Sequence, residues 1–325
     1  MAKHLRRTHD IRRSAKQIAT LRLLITTRES IQEWFTATRA NTGPLRSWLL
    51  MPTMSLLLTG MLIVLTTPMA LGQWSSTPTW SDEFNGSSVN TADWTAKVGG
   101  PGGNCCGGTE QYFRNENVTV SGGSLHIRAS RESYGGFNYT SGAIESIGKR
   151  MIPAYTDYRL EFRAKLPSGY WLWPALWGFE AGYMSGLELD TMETWGVQPT
   201  SVWQTLHDWT LAADTIKQCL AVAGVDLSQG YHIYAWEVIN GQHKMYLDST
   251  LTCQTTYRQP QQPVDMKINI SIGCNYGCSV GMPPADPAQD PNTYPQYLDV
   301  DYVRLYTTTG PDTTPPASPT GLKVQ

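Results

Sequence analysis

Several absences narrow what this chain can be. From Ser47 to Ser81 there is no Asp, Glu, Lys or Arg. Histidine is scarce, with 6 in 325 residues, and none lies near a cysteine in sequence, so a Cys/His zinc site is disfavoured. Phenylalanine is equally scarce, 6 against 12 Trp and 16 Tyr. That bias suits surfaces that stack on polar rings as well as a tryptophan-rich β core. No long apolar pattern at helical spacing appears after residue 73, which argues against a helical bundle or alternating βα units. The body also lacks a basic excess. Residues 1–46 hold 10 Lys/Arg and 3 Asp/Glu (10 − 3 = +7), while residues 47–325 hold 15 and 24 (15 − 24 = −9). An acidic body excludes a nucleic-acid footprint.

The uncharged stretch is informative in itself. It contains Leu56-Leu-Leu-Thr-Gly-Met-Leu-Ile-Val-Leu65, the length of a signal-peptide apolar region, preceded by Arg46 and followed by Ala70-Leu71-Gly72. Residues 47–72 are therefore expected to direct export, with the mature chain starting near Gln73. The alternative is an uncleaved membrane anchor, because the whole uncharged stretch is long enough to span a bilayer. Residues 1–46 are a basic segment or leader extension without a functional reading. An even set of cysteines (Cys105, Cys106, Cys219, Cys253, Cys274 and Cys278) fits disulfides in an exported protein. Their connectivity is not deducible from spacing. Adjacent Cys105 and Cys106 call for distant partners, and Cys274 and Cys278 are placed to close a small loop. Residues 309–325 form a Pro/Thr-rich linker ending like the start of a fibronectin type III strand.

Residues 73–308 read as one all-β domain. Asp157–Lys165 alternates cleanly: Tyr158, Leu160, Phe162 and Ala164 face one way, Arg159, Glu161, Arg163 and Lys165 the other. Residues 125–130, 267–272 and 298–306 behave similarly. Asn240-Gly241 between two apolar runs predicts a two-residue hairpin. Many antiparallel strands over this length predict two packed sheets, a sandwich or jelly roll.

The chemistry concentrates in Gly186-Leu-Glu-Leu-Asp-Thr-Met-Glu-Thr-Trp-Gly196. On a regular strand Glu188 and Asp190 share a face and Leu187 and Leu189 share the other. Glu193 is out of phase, and a β-bulge at Thr191-Met192 is required to return it to the acidic face. Three carboxyls that close would shift one another's titration, and glycoside hydrolysis uses two carboxyls in that relation.

With these flanks, residues 74–306 resemble glycoside hydrolase family 16, near its laminarinase-like members. The resemblance rests on Trp80-Ser-Asp-Glu-Phe-Asn-Gly86, Thr109–Phe113 with Asn115–Val118, Trp173-Pro-Ala-Leu-Trp177, the six-residue acidic signature Glu188-Leu-Asp-Thr-Met-Glu193, and Val300–Tyr306. It implies a concanavalin-like β-jelly roll of two antiparallel sheets with a concave substrate cleft. It also implies retaining hydrolysis of a polysaccharide by a monomer, with Glu188 as nucleophile, Glu193 as general acid/base and Asp190 as their helper. Trp173, Trp177 and Trp195 become candidates for sugar stacking, His207 for the cleft, and Glu110, Gln111 and Asn269 for sugar hydroxyls. No cofactor is expected for the chemistry. The resemblance suggests a structural calcium held by Glu83, the Gly123 carbonyl and Asp301, where oxygen ligands suit that ion. Two positions depart from the usual laminarinase pattern. Tyr183-Met-Ser-Gly186 stands where Trp-Pro-Gly is common, and Ala143 stands where arginine is common. The expected substrate is β-1,3- or β-1,3-1,4-glucan. The alternatives are a galactan such as agarose or carrageenan, transglycosylation, and glucan binding without catalysis.

Overall fold

A computed structural model describes residues 74–100, 109–180, 185–273, 288 and 290–308. The chain divides into two compact units, residues 1–66 and 67–325, and all described residues belong to the second. The basic segment, the uncharged segment expected to direct export, the linker, Cys105, Cys106, Cys274, Cys278, Tyr183 and Met184 lie outside the described residues. No helix among the described residues is long and apolar enough to cross a membrane.

Strands are numbered in chain order. Among the described residues, one sheet has seven strands in the order β12 (Thr215–Val222), β11 (Ser201–Asp208), β10 (Leu187–Glu193), β9 (Leu172–Phe179), β16 (Lys267–Ile272), β7 (Ala143–Glu145) and β2 (Thr95–Ala96). The other has ten. Eight run in the order β15 (Thr250–Thr256), β14 (Gln242–Leu247), β13 (His232–Ile239), β8 (Tyr158–Lys165), β17 (Gln296–Thr307), β5 (Ser124–Tyr134), β6 (Phe137–Ser141) and β3 (Gln111–Phe113). To these, β1 (Trp80–Asp82) pairs with β17 and β4 (Val118–Ser121) with β5. Among the described residues, pairing is antiparallel except for β3 on β6, which is parallel.

Alternation decides which residues fill the space between the sheets. On β8 the expected set, Tyr158, Leu160, Phe162 and Ala164, is buried while its charged neighbours are half-buried on the other face. From the facing sheet come Leu172 and Leu176 of β9, Leu187, Leu189 and Met192 of β10, and Val202 and Leu206 of β11. Burying such side chains supplies roughly 1.5–3 kcal/mol each, the dominant favourable contribution to the fold. Asn240 and Gly241 join β13 to β14 at φ 48° and 76°. Both positive angles are what a type I′ turn demands. A Cβ at Gly241 would lie 2.4 Å from the Tyr257 carbonyl, so the turn also needs the missing side chain. Cys219 of β12 and Cys253 of β15 are disulfide-bonded, with Cα atoms 5.8 Å apart. This bond staples the edge strand of one sheet to the edge strand of the other.

Candidate active site

The bulge forms where the acidic pattern requires it. Along β9, Asp190 faces Trp177 and Met192 faces Leu176, so β10 has one residue more than its neighbour between these pairs. Along β11, Asp190 faces Thr205 and Glu193 faces Trp203. Met192 thereby drops into the core, and Glu193 joins Glu188 and Asp190 on the sheet's outward face. Without the extra residue the Glu193 carboxylate would enter the apolar core, at heavy desolvation cost. The bulge carbonyl, Thr191 O, accepts a hydrogen bond from the buried Gln204 Nε2 at 3.1 Å. The same amide nitrogen donates to Tyr246 O at 3.3 Å in the opposite sheet, and Gln204 Oε1 accepts from the Thr252 hydroxyl. One side chain thus ties the bulge across the core.

Each acid sits in a row of cross-strand neighbours. On the β9 side these are Phe179, Trp177 and Ala175, opposite Glu188, Asp190 and Glu193. They form an apolar patch separate from the main core, with Trp209 packed on it. On the β11 side the neighbours are His207, Thr205 and Trp203. Trp209, in the turn after β11, donates its indole N–H to Glu188 Oε2 at 2.7 Å. Trp173 donates its own to Glu193 Oε1 at 2.9 Å. His207 stacks on Trp209, with centroids 5.7 Å apart and planes 23° apart. Its Nε2 lies 3.4 Å from Asp190 Oδ2, and its Nδ1 lies 3.2 Å from Asp214 Oδ2.

All three carboxyls are held above their ordinary pKa. For Glu188 the cause is burial, then the Asp190 charge, opposed by His207 and by the Trp209 indole. For Asp190 it is burial and then the charge of Glu193, opposed by a hydrogen bond with Glu188. For Glu193 it is burial, opposed by the Trp173 indole and by His207. The three therefore titrate as a set that takes up protons more readily than free carboxyls do. Such a set can present one ionised and one protonated glutamate at the same time.

A second polar network fixes the end of β10 next to Glu188. Glu180 Oε2 accepts the Leu187 N–H at 2.8 Å and pairs with Arg258 at 2.8 Å, and Arg258 also pairs with Asp208 at 3.1 Å. Burial pushes Asp208 up, but Thr210, Arg258 and Tyr257 outweigh it and hold its pKa at about 2. Burial likewise opposes, and Arg258 with the Leu187 and Gln261 N–H groups overcomes, to hold Glu180 below the usual carboxylate range.

The remaining expected site residues divide. Trp173 is half-buried beside Glu193 and packs against Trp195 at 5.0 Å between centroids. Glu110 is exposed near Gly273, at the end of β16. Four of the expected side chains, Trp177, Asn269, Gln111 and Trp195, are buried and engaged within the protein. Trp177 donates to Asn269 Oδ1 at 2.8 Å under the Lys267 ammonium. Asn269 Nδ2 is spent on Ser271, Gln111 bonds Thr109 and the Ile272 N–H, and Trp195 is 5 % exposed. These residues shape the floor and present little to a sugar. The expected calcium ligands are not free to take a cation. Both Glu83 oxygens accept from Arg304, at 2.9 and 2.8 Å, which holds Glu83 below its ordinary range. Asp301 pairs with Arg163, and Gly123 turns at φ 78° between β4 and β5. A calcium would have to displace two guanidinium groups, so this donor set does not fit the ion as arranged. Among the described residues, only Glu188, Asp190 and His207 bring three ligating atoms within 4.8 Å of one another. Two of the three already have protein neighbours: the Trp209 N–H on Glu188 Oε2, and Asp214 Oδ2 at 3.2 Å from His207 Nδ1.

Trp209, Gln204 and Asp214 were not singled out from the sequence. The only available signal was that Trp209 lies two residues beyond His207.

No family model matches the chain. A β-glucanase from Rhodothermus marinus is 32% identical over 258 residues, covering 70% of this chain and 84% of that protein. Glucan endo-1,3-beta-glucosidase A1 from Niallia circulans is 30% identical over 263 residues, and the match spans 70% of this chain but 37% of that longer protein. Among solved structures, the endo-β-1,3-glucanase of Pyrococcus furiosus superposes with a TM-score of 0.63 at 28% identity, over 73% of this chain and 96% of that one. The laminarinase of Rhodothermus marinus gives 0.62 at 30% identity, over 74% and 99%. With the bulged acidic strand, the jelly-roll sheets and these relatives in agreement, the chain belongs to glycoside hydrolase family 16 and is homologous to that family's endo-β-glucanases.

Proposed function

We propose that the protein is a secreted, monomeric, retaining endo-glycosidase that hydrolyses β-1,3- or mixed β-1,3-1,4-glucan by double displacement. The observation that carries this reading is the row Glu188–Asp190–Glu193 on one outward sheet face, with an indole N–H on each glutamate. In this reading Glu188 Oε attacks the anomeric carbon as Glu193 gives its proton to the departing glycosidic oxygen. A covalent glycosyl ester forms on Glu188. Water then attacks the same carbon, Glu193 takes the water's proton, and Glu188 is released. Both displacements invert, so the β-configuration is retained. Burial of the three carboxyls supports a proton held within the set, and this reading assigns it to Glu193, with Glu188 ionised. One bond supports ionised Glu188, the Trp209 N–H, and the nearby His207 acts in the same direction.

The glucan choice is supported by the names of the relatives, a β-glucanase and a glucan endo-1,3-beta-glucosidase. Export is supported by the uncharged segment before Gln73. The test is a polysaccharide panel with reducing-sugar detection and proton NMR of the first-formed anomer. Laminarin or mixed-linkage glucan should be cut internally, with the β-anomer appearing first. Cleavage of agarose or carrageenan instead would move the substrate to a galactan. An α-anomer appearing first would overturn the double displacement.

A further inference from the structure

Asp214 lies in the turn joining β11 to β12, outside the row of acids. Its Oδ2 is 3.2 Å from His207 Nδ1, and the Thr215 hydroxyl is 3.3 Å from the same nitrogen. The opposite ring nitrogen, Nε2, is 3.4 Å from Asp190 Oδ2. Asp190 is 2 % exposed, and that oxygen makes no hydrogen bond. A buried acceptor in this state is costly unless a proton is shared with it. His207 is the group placed to do so.

We propose that Asp214 is a positioning residue for the hydrolysis: it holds the His207 ring with Nδ1–H toward itself, so that Nε2 faces Asp190 and shares one proton with its Oδ2. The proposal rests on the glucanase reading above. An ionised carboxylate only accepts, so a bond from the ring to Asp214 requires hydrogen on Nδ1, which the Thr215 hydroxyl can also accept. In imidazole, the bond made at one nitrogen sets what the other can do. The ring has little freedom to turn away. Trp209 stacks on one face of it. The turn is closed by the Asp208 N–H on the Asp214 carbonyl at 2.7 Å. Asp208 is in turn anchored by Thr210, Tyr257 and Arg258. The charged groups facing the ring are Glu188, Asp190 and Glu193 from β10 and Asp214 from the turn; Thr215 and Trp209 face it as neutral groups. A proton held between Asp190 and His207 removes Asp190 from competition for the proton that Glu193 must deliver. The chain Asp214–His207–Asp190 thereby sorts the protons of the carboxyl set without touching the sugar.

The test compares the full chain with D214A and D214N on laminarin. D214A should lose about tenfold in kcat, the scale of one hydrogen bond to a charged group, with KM within about twofold and a changed pH profile. D214N keeps a side-chain carbonyl that can accept Nδ1–H and should recover most of kcat. Nitrogen-15 NMR of histidine-labelled protein should find a proton on Nδ1 of His207 in the wild type. Three results would each overturn the proposal: D214A with unchanged kcat and pH profile, D214N as impaired as a folded D214A, or an unprotonated Nδ1 in the wild type. If D214A fails to fold, D214N and the wild-type spectrum decide. If the wild type cleaves no β-glucan, the glucanase reading fails, while the spectrum still tests the placement of the proton.

Discussion

The Trp209 indole makes the shortest polar contact to Glu188 described above, 2.7 Å to Oε2. Trp209→Phe removes that N–H and keeps an aromatic ring for the stack on His207. A hydrogen bond to a charged group contributes about 1.5–3 kcal/mol, and about 1.4 kcal/mol is tenfold. The loss on the acid side of the profile should therefore be roughly 10- to 100-fold in kcat/KM. The sign follows from the contact, because the indole favours the ionised form of Glu188. Without it Glu188 holds its proton to higher pH, so the acid limb of kcat/KM moves upward and the deficit shrinks as pH rises. The assay is the pH dependence of initial laminarin hydrolysis for both proteins, with thermal unfolding as a check on folding. A deficit of constant size at every pH would mean that Trp209 acts through packing. No deficit at all would refute the role of the contact.

Three further outcomes follow from the same geometry. Because burial holds Glu193 above its ordinary pKa, the folded state binds a proton there that the unfolded state has released. Stability is thus lost as pH rises from the unfolded value, about 4.3, through the raised folded one. Glu193→Gln should then raise the melting temperature at neutral pH, with the gain vanishing near pH 4, while abolishing hydrolysis. An equal gain at both values would show that charge is not its source. Replacing both Cys219 and Cys253 by Ala opens a loop of sequence separation 34, which chain entropy values at about 4 kcal/mol. Urea unfolding of oxidised wild type and variant measures this, and a difference below about 1 kcal/mol would mean the staple does not stabilise the sandwich. Gln204→Leu leaves Thr191 O without its donor and should cost about 1–3 kcal/mol of stability together with kcat. Loss of stability with kcat intact would separate the bulge from catalysis.

How much of this was visible in the sequence depends on distance along the chain. The strands at 157–165, 267–272 and 298–306 and the Asn240-Gly241 hairpin are local patterns, and they appear as β8, β16, β17 and a turn with both φ values positive. The bulge was legible because Glu193 breaks a period of two that Glu188 and Asp190 establish. The Gln204 brace was not. It depends on a core glutamine reaching a carbonyl 13 residues away and a strand in the other sheet. Trp209 and Asp214 act from a turn, where no alternation says which way a side chain points. The burial of Gln111 and Asn269 was not legible either, since a polar residue type gives no sign that its hydrogen bonds are already taken within the protein. The parallel pairing of β3 with β6 is likewise absent from any local pattern.

The central claim is that Glu188 forms a covalent bond to the sugar. Glu188→Ala assayed on a β-linked glucan substrate with and without azide tests it directly. Hydrolysis should be abolished, and azide should restore turnover by filling the vacated space and attacking the anomeric carbon once, giving an α-glycosyl azide. Undiminished hydrolysis by the variant, or a β-glycosyl azide as product, would contradict the account.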